Sequence, residues 1–587
     1  MRQLTVELRE GVAIAAQLRG IEEAWNGGQW RSMLIHIYSG VPDEALLMNV
    51  AREIEAALPQ AIVHGTMSAG EILNGKVIPR GIGISALLFE RTDIGLLRFD
   101  DVDGHEVDVG RAVVQAIDAI PDLKAVELSL RGIGMDTNHM YQEISKARRG
   151  IQMFGGYPGG HQLNSPEHFI FNSREVMYNT LMVITYAGAD FHIDVDKTIG
   201  WEPLGIPFKV TRAEGNHLIE INGKPAANVY EKFLQIDRTL HNNAEDAFEF
   251  PLLARDGDDE RLRSTVHIEE DGSLYLHGFV TEGMEIQLSY GDPSTIVNHV
   301  NERLDSLRQF RPQVVLLYSC VVRKTFWESF VNMEMEPFEV IAPTAGFHTW
   351  GEIMRETNGK LVEHNITMLS IGMREGDPPA EMAPPVRVDD TILRGQASLL
   401  RRLTRLVYTS MEQLQKAHNR LTIMAERDAL TDLYNRGKIE ALIDAALNAT
   451  SVNHTPVSLI MLDIDHFKHV NDTYGHETGD DVLRELAYLM RTAIAKVPGA
   501  QAGRWGGEEF FILMPGVKER QALDFAEDFR IAVDRNIFTG VSHMTISQGV
   551  ITTRGTIDRQ RVYTLVDNAL YQAKEAGRNR VVQCEVE

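Results

Sequence analysis

The stretch Arg504-Trp505-Gly506-Gly507-Glu508-Glu509-Phe510-Phe511-Ile512-Leu513 decides the fold of the last quarter of the chain. Its adjacent glycines separate a short extended run from a strongly apolar one, a pattern that predicts a two-residue hairpin turn. The second strand opens with two carboxylates, Glu508 and Glu509, which repel each other unless a cation lies between them. An acidic, solvated hairpin tip is the alternative interpretation.

Further carboxylates follow an apolar run earlier in the chain. Residues 458–462 predict a buried strand, which ends in Asp463-Ile464-Asp465-His466-Phe467-Lys468. Active sites open at strand ends of this kind. Together with Glu508 and Glu509, an Asp there makes the sparse set of oxygen ligands that Mg²⁺ uses when a nucleotide's phosphates supply the others.

From about residue 427 to the C-terminus these motifs resemble the GGDEF domain of the diguanylate cyclase family, in a Gly-Gly-Glu-Glu-Phe variant. The resemblance implies a fold similar to the nucleotide cyclases and the polymerase palm. It implies that Mg²⁺ or Mn²⁺ is bound by the Asp463 carboxylate, the Ile464 carbonyl, Glu508 and Glu509. Glu508 would also help deprotonate the attacking hydroxyl, and Lys468 would stabilise charge on the phosphoryl group.

The segment 471–480 resembles the family's guanine pocket. A carboxylate accepts from the guanine N1–H and N2 amine, and an amide both donates and accepts, so Asn471 and Asp480 are expected to bind the base. Helix capping is the alternative role for both residues. We expect His476 and Phe467 to lie near the nucleotide as well, although a turn histidine is an equally good interpretation of His476.

Two cations near the C-terminus complete the expected GTP site. Lys574 and Arg578 are four residues apart in a predicted last helix, which would place them on one face. In the family these positions contact phosphates; the alternative is a pair of solvated charges favoured by the helix dipole. The stretch Ser547-Gln548-Gly549-Val550 resembles the family's late strand, with Gln548 where the usual residue is apolar.

The resemblance implies a homodimer, because each domain binds one GTP and cyclic di-GMP joins two. The Arg-x-x-Asp inhibitory product site of many such cyclases is missing, since residues 497–500 read Val-Pro-Gly-Ala. We therefore expect no product inhibition through that site. Two alternatives to a sensor-regulated diguanylate cyclase stay open: a non-catalytic GTP-binding signalling protein, and a haem- or gas-sensing version of the same cyclase.

The region before residue 375 alternates strand-like and helical runs and contains three glycine clusters, at 65–71, 154–160 and 345–353. None has the pattern of a phosphate-binding loop. Together with the stretch 319–323 they resemble a FIST sensor, a family of bacterial and archaeal signalling proteins proposed to bind small ligands, some of them haem. We expect a mixed-sheet sensor with Arg323 and Glu352 as ligand contacts. Glycines that merely permit tight turns are the alternative.

Composition narrows the partners. The chain has 587 residues, enough for three or four domains, and a net charge of −25, which argues against nucleic acid or an anionic membrane surface. Two cysteines make no disulfide framework, and no apolar run is long enough to span a membrane, so we expect a cytoplasmic protein. No histidine in the sensor region stands out as a haem ligand; His64, His348 and His364 are ordinary candidates, and a structural role is the commoner one for each.

The sequence predicts a multidomain α/β and α+β protein. We expect a FIST N-terminal half at 1–220, a FIST C-terminal half at 221–373, a proline-rich linker at 374–391, a dimeric coiled coil at 392–427 and a GGDEF domain at 428–587. The coiled coil is predicted from a heptad seam, although an amphipathic helix packed on its own sensor fits the same pattern. The seam positions are Leu393, Leu400, Leu403, Val407, Leu414, Leu421 and Met424, with Gln396, Ser410 and Ala417.

Overall fold

The computed structural model describes residues 1–78, 80–132, 135, 137–160, 168–236, 247, 249–256, 259–389, 406–407, 409–411, 413–414, 416, 423–541, 543–555 and 557–584. It divides into two compact units, Met1–Tyr408 and Thr409–Glu587. Most of the coiled coil predicted at 392–427 lies outside the described residues. Within the described part, no helix combines the length and the apolar character needed to cross a membrane.

Three six-stranded mixed sheets build most of the first unit, which confirms the predicted mixed α/β class. In order across each sheet, their strands are Arg2–Glu7, Ile82–Phe89, Ser32–Ser39, Ala61–Met67, Ile170–Phe171 and Val176–Met177; then Asp93–Asp100, Thr180–Ala187, Leu123–Ser129, Gln152–Gly156, Glu352–Arg355 and Leu361–His364; then Phe191–Thr198, Met368–Glu375, Val314–Cys320, Thr344–Thr349, Glu71–Leu73 and Lys76–Ile78.

The three sheets have the same topology. In each sheet the third and fourth strands are parallel, and all the remaining neighbouring strands are antiparallel. The chain therefore contains three structural repeats, at 2–89, 93–187 and 191–375. The last two strands of each sheet are a hairpin from another repeat: 71–78 joins the third sheet, 170–177 the first and 352–364 the second. This closed exchange ties the repeats together.

The three glycine clusters are the equivalent segments that lead into these exchanged hairpins. Their backbones hydrogen-bond to one another in a ring: Ala69 N–H to His348 O at 3.0 Å, Gly159 N–H to Met67 O at 2.8 Å, and Tyr157 N–H to Gly351 O at 2.9 Å. A side chain at Gly159 would collide with this ring, because its Cβ would lie 2.4 Å from His348 O. Glycine is required where backbones approach this closely.

Helices cover the outer faces of the three sheets, and one shared core fills the inner faces. The inner core includes Leu34, Ala125 and Leu316, one from the central strand of each repeat. Next to it, Glu127 accepts hydrogen bonds from Tyr318 at 2.6 Å and Tyr186 at 2.7 Å, and lies 3.2 Å from His36 Nε2. The helices are Ile14–Gln17, Arg19–Asn26, Glu44–Ala57, Glu106–Asp118, Thr137–Ile144, Pro293–Phe310, Val321–Trp327 and Val331–Ile341, with a 3₁₀ turn at Glu328–Phe330.

An eight-stranded sheet is inserted in the third repeat, between residues 198 and 293. Across the sheet its strands are Asp259–Arg263, Leu252–Asp256, Glu285–Gly291, Trp201–Glu214, His217–Ile221, Leu274–Leu276 and Thr265–Ile268, with Lys224–Pro225 beside His217–Ile221 and the helix Asn228–Leu234. In the third repeat the apolar run 314–322 is divided between two elements: the strand Val314–Cys320 ends where the helix Val321–Trp327 begins.

The second unit is a five-stranded sheet with helices on both faces. Its strand order is Gln501–Gly506, Glu509–Pro515, Val457–Ile464, Ile546–Thr553 and Val581–Cys584, and its helices are Arg436–Asn453, Phe467–Tyr474, His476–Ile494, Glu519–Arg535 and Arg559–Glu575. Gln548 is accommodated in a buried position because its amide donates to Ala526 O at 2.7 Å. Gly549 allows the helix Arg559–Glu575 to pack closely on the sheet, since a Cβ at this position would lie 2.4 Å from Val566 O.

Candidate active site

The turn of the Gly-Gly-Glu-Glu hairpin lies one residue later than the adjacent glycines suggest. Gly506 pairs with Glu509, so the two turn residues are Gly507 and Glu508. Gly507 has φ +54°, a left-handed conformation that glycine adopts at little cost. The shift places Glu508 at the tip of the hairpin, half-buried, and makes Glu509 the first residue of the following strand.

Hydrogen bonds from the Arg504 side chain hold this turn in place. Its Nε and Nη2 donate to Gly507 O at 3.0 and 2.8 Å, and its Nη1 lies 3.2 Å from Asp428 Oδ1. Asp428 also accepts from the backbone and the hydroxyl of Thr431. The segment at the start of the domain is thereby joined to the hairpin tip. Sequence reasoning assigned Arg504 no role, although a cation next to an acidic turn was a visible signal.

Three carboxylates converge at one edge of the sheet. Asp463 is paired with Glu509 across neighbouring strands, and Glu508 precedes Glu509 at the tip. The pKa of Asp463 is raised to about 6, mainly by burial; Lys574 opposes the rise, and Glu508 and Glu509 add to it. Burial is also the main cause of the raised pKa of Glu509. Two neighbouring acids thus hold their protons more tightly than in water, because burial disfavours their charged forms, which nearby positive charge would stabilise.

Lys574 supplies part of that charge, since its Nζ lies 2.9 Å from Asp463 Oδ2. Lys574 is in the last turn of the helix Arg559–Glu575, and the chain leaves that helix through Gly577 at φ +112°. The expectation that Lys574 and Arg578 share a helix face was wrong. Arg578 lies beyond the helix with φ +62°, exposed, and its N–H closes the helix end on Ala573 O at 3.1 Å.

The predicted nucleotide segment forms two helices, Phe467–Tyr474 and His476–Ile494, which meet at Gly475 with φ +87°. The helices touch at Gly479, where an added Cβ would lie 1.9 Å from Asn471 Oδ1 and 3.3 Å from Phe467 Cζ. Gly479 therefore determines how closely Asn471 and Asp480 approach. Of the predicted residues here, Phe467 is buried, Asn471 and Asp480 are half-buried, and Lys468 and His476 are exposed.

Asp465 has a structural position that the sequence did not separate from that of Asp463. Its carboxylate accepts from Ser547 Oγ at 2.6 Å, Thr545 Oγ1 at 2.7 Å and Asn579 N–H at 3.0 Å. Through these contacts Asp465 connects the strand Ile546–Thr553 to the segment that follows the last helix. Asp463, by contrast, lies opposite Glu509 of the hairpin.

The donor set fits a hard divalent cation that shares its coordination with a ligand. Among the residues that the structure describes, no group of three or more His, Cys, Asp or Glu side chains could hold a metal ion by itself. The predicted set has few protein ligands, which suits Mg²⁺ because Mg²⁺ is commonly held by one or two carboxylates together with substrate phosphates. The raised pKa values of Asp463 and Glu509 are those of a site that an added cation would stabilise.

The two residues predicted as sensor contacts, Arg323 and Glu352, are both fully buried. The Arg323 guanidinium pairs with Glu334 and donates to Thr198 O at 3.4 Å and Ile366 O at 3.3 Å. Glu352 accepts from Thr349 and from Thr367 Oγ1, the latter at 2.6 Å. Burial raises the pKa of Glu352 to about 8. Both side chains are occupied by neighbouring protein groups.

The three histidines considered as haem ligands are buried too. His64 Nε2 lies 2.9 Å from Ser129 Oγ, and His364 Nε2 lies 3.3 Å from Lys197 Nζ. Burial lowers the pKa of His64 to about 4 and that of His348 to about 3. All three are therefore neutral core histidines in this structure.

Comparison with known proteins identifies the domains. Residues 425–580 match the family model "Diguanylate cyclase, GGDEF domain", residues 34–224 match the FIST N domain and residues 226–355 match the FIST C domain. The chain therefore contains FIST N, FIST C and GGDEF domains, as its motifs predicted.

Three similar proteins each cover less than a third of the chain. Diguanylate cyclase DgcM of Escherichia coli is 36% identical over 177 residues, 30% of this chain and 42% of the relative. Response regulator PleD of Caulobacter vibrioides is 39% identical over 166 residues, 27% of this chain and 36% of the relative. The solved active GGEEF domain of a diguanylate cyclase from Vibrio cholerae is 35% identical and covers 26% of this chain and 98% of its own, with a TM-score of 0.25. The chain thus spans less than half of the curated relatives it matches.

Proposed function

We propose that this protein is a diguanylate cyclase that condenses two GTP molecules into cyclic di-GMP and two pyrophosphates, under the control of its FIST region. The observation that carries the proposal is the convergence of Asp463, Glu508 and Glu509 with Lys574 at one edge of the sheet. The GGDEF match and the diguanylate cyclases among the relatives support the same reaction.

In this reaction the 3′-hydroxyl oxygen of one GTP attacks the α-phosphorus of the other. The bond from the α-phosphorus to the bridging oxygen breaks, pyrophosphate leaves with that electron pair, and the hydroxyl proton is released. The same exchange in the opposite direction closes the ring. Because each domain holds one GTP, two chains face each other across a two-fold axis.

The side chains of each GGDEF domain bind and orient GTP and neutralise its phosphate charge. Asn471 and Asp480 bind guanine, and Phe467 and His476 line the nucleotide site. Glu508, at the hairpin tip, accepts the hydroxyl proton. Lys468, Lys574 and Arg578 balance the phosphate charge.

The carboxylates of Asp463, Glu508 and Glu509, with the Ile464 carbonyl, would hold Mg²⁺ or Mn²⁺. When bound, the metal neutralises phosphate charge and activates the hydroxyl.

The test is GTP turnover by the purified chain with Mg²⁺, resolving cyclic di-GMP and pyrophosphate, beside Glu508→Gln at equal concentration. We expect product from the wild type alone, with a rate that rises faster than linearly with protein at high dilution. Tight GTP binding without turnover, across a screen of metals and protein concentrations, would instead identify a GTP-binding signalling protein.

A further inference from the structure

A cavity of about 420 Å³ opens within the first unit. It lies where the inserted sheet meets the helix Thr137–Ile144 and the exchanged hairpin 352–364. Its lining residues are Asn138, Gln142, Ser145, Ala254, Arg261, Arg263, Phe279, Met284, Lys360, Leu361 and Val362. Small-molecule sites commonly form where two parts of a fold meet, in pockets of roughly 300–1,000 Å³.

The lining is cationic. Arg261, Arg263 and Lys360 border the cavity, and no acidic side chain is among its described lining residues. The half-buried Glu363, next to Val362 in sequence, accepts from Tyr157 OH at 3.0 Å and attracts Arg263 electrostatically. Three of the eleven lining residues are thus basic. This is unusual for a chain with a net charge of −25.

Arg263 is the residue most specific to this cavity. It is 4% exposed, and burial lowers its pKa to about 10. Its Nε donates to Phe279 O and its Nη1 to Leu262 O, each at 3.1 Å, whereas its Nη2 donates to no group in the described part of the chain. Gly278, at φ +83°, makes room for it, since a Cβ there would lie 2.8 Å from the guanidinium carbon.

The wall also has an apolar part, formed by Ala254, Phe279, Met284, Leu361 and Val362. A buried guanidinium with a donor to spare binds carboxylate or phosphate strongly, because a charge-assisted hydrogen bond replaces the lost hydration. We propose that this cavity binds a small organic anion, whose carboxylate or phosphate group pairs with Arg263 and whose apolar part packs against Phe279 and Met284.

The position of the cavity also gives the anion a means of acting on the fold. A ligand here would contact the inserted sheet, the helix of the second repeat and the exchanged hairpin together. Control of the cyclase by this anion rests on the proposed function. Binding of the anion to the cavity does not, and it is measured in a separate experiment.

The experiment is isothermal titration calorimetry of the full chain with four probes. Benzoate and phenyl phosphate carry the two anionic groups on the same ring, benzamide is the neutral isostere of benzoate, and inorganic phosphate lacks the apolar part. We expect saturable one-to-one binding of at least one aromatic anion, at least tenfold tighter than benzamide or inorganic phosphate. The tighter of the two anions identifies the acidic group.

A matched pair of substitutions at exposed Gln142, on the cavity rim, tests the site without disturbing the core. Gln142→Glu is expected to weaken anion binding by roughly threefold to tenfold and Gln142→Lys to strengthen it by a similar factor, because the added charge lies close to the ligand. Arg263→Gln is expected to abolish binding, with circular dichroism and thermal unfolding confirming that the variant is folded.

Three results would overturn the proposal: no saturable binding of either aromatic anion at millimolar concentration, binding of benzamide as tight as that of benzoate, or affinities unchanged in both Gln142 variants. Cyclic di-GMP production is then followed with and without the tighter anion. Binding without an effect on turnover would leave the anion site established and remove only its link to the cyclase.

Discussion

The two regions of this chain place their characteristic polar residues in opposite environments. In the GGDEF domain Lys468 and His476 are exposed, and Glu508 is half-buried at a hairpin tip. In the FIST region Arg323 and Glu352 are fully buried and bonded to protein groups. A polar residue in a motif can therefore either bind a ligand or stabilise the fold. Burial and hydrogen-bond partners distinguish the two roles, whereas residue type does not.

Substituting Arg323 should have the largest effect on stability. Arg323→Met leaves Glu334 as a buried charge without its partner, and we expect the free energy of unfolding to fall by about 3–5 kcal/mol. Urea unfolding measures this loss. Adding Glu334→Gln removes the unpaired charge and should recover much of it. A loss below about 1 kcal/mol, with altered ligand binding, would move Arg323 from the fold to a ligand site.

Lys574→Met should act on catalysis and leave the fold nearly unchanged. The substitution removes the ammonium group on Asp463, which raises the pKa of Asp463 further and leaves phosphate charge unbalanced. We expect cyclic di-GMP production to fall roughly tenfold to hundredfold. Lys496→Met, an exposed lysine after the helix His476–Ile494, is the control and should keep full activity. Equal rates in both variants would contradict the role of Lys574.

Gly479→Ala tests whether close helix packing sets the guanine pocket. The new methyl would displace the Asn471 amide, so we expect a higher KM for GTP and a loss of roughly 1–3 kcal/mol in unfolding free energy. Gly437→Ala is the matched control, because the atom nearest to its added Cβ, Asn435 Oδ1, is 3.7 Å away. An unchanged KM in Gly479→Ala would argue that Asn471 does not bind guanine.

Glu352 should make the stability of the FIST region depend on pH. Its folded-state pKa of about 8 lies above the ordinary 4.5, so the folded state keeps a proton that the unfolded state has lost. The contribution of Glu352 to the free energy of unfolding is therefore highest below pH 4.5. It falls by about 1.4 kcal/mol per pH unit as the pH rises toward 8. Glu352→Gln should remove this slope in urea unfolding between pH 5 and 8. A slope equal to that of the wild type would place the titration elsewhere.

Local pattern predicted much of the secondary structure. In the region that alternates strand-like and helical runs, the apolar run 33–38 lies in the strand Ser32–Ser39, and the run that follows it forms the helix Glu44–Ala57. The acidic hairpin and the acidic strand end were likewise found from neighbouring residues. Arg504 and Gly479 were missed, because their importance depends on contacts with Gly507 and Asn471 rather than on any local period.

The sequence by itself determined the type of each domain, since alternation, glycine turns and paired carboxylates are encoded by residues close in the chain. Only the tertiary structure revealed three equivalent repeats whose hairpins are exchanged in a closed ring, because strand pairing across more than two hundred residues leaves no local signal. The same long-range pairing buries Arg323 and Glu352 and places Arg263 at a cavity. Their surroundings come from distant segments, so residue type alone could not assign their roles.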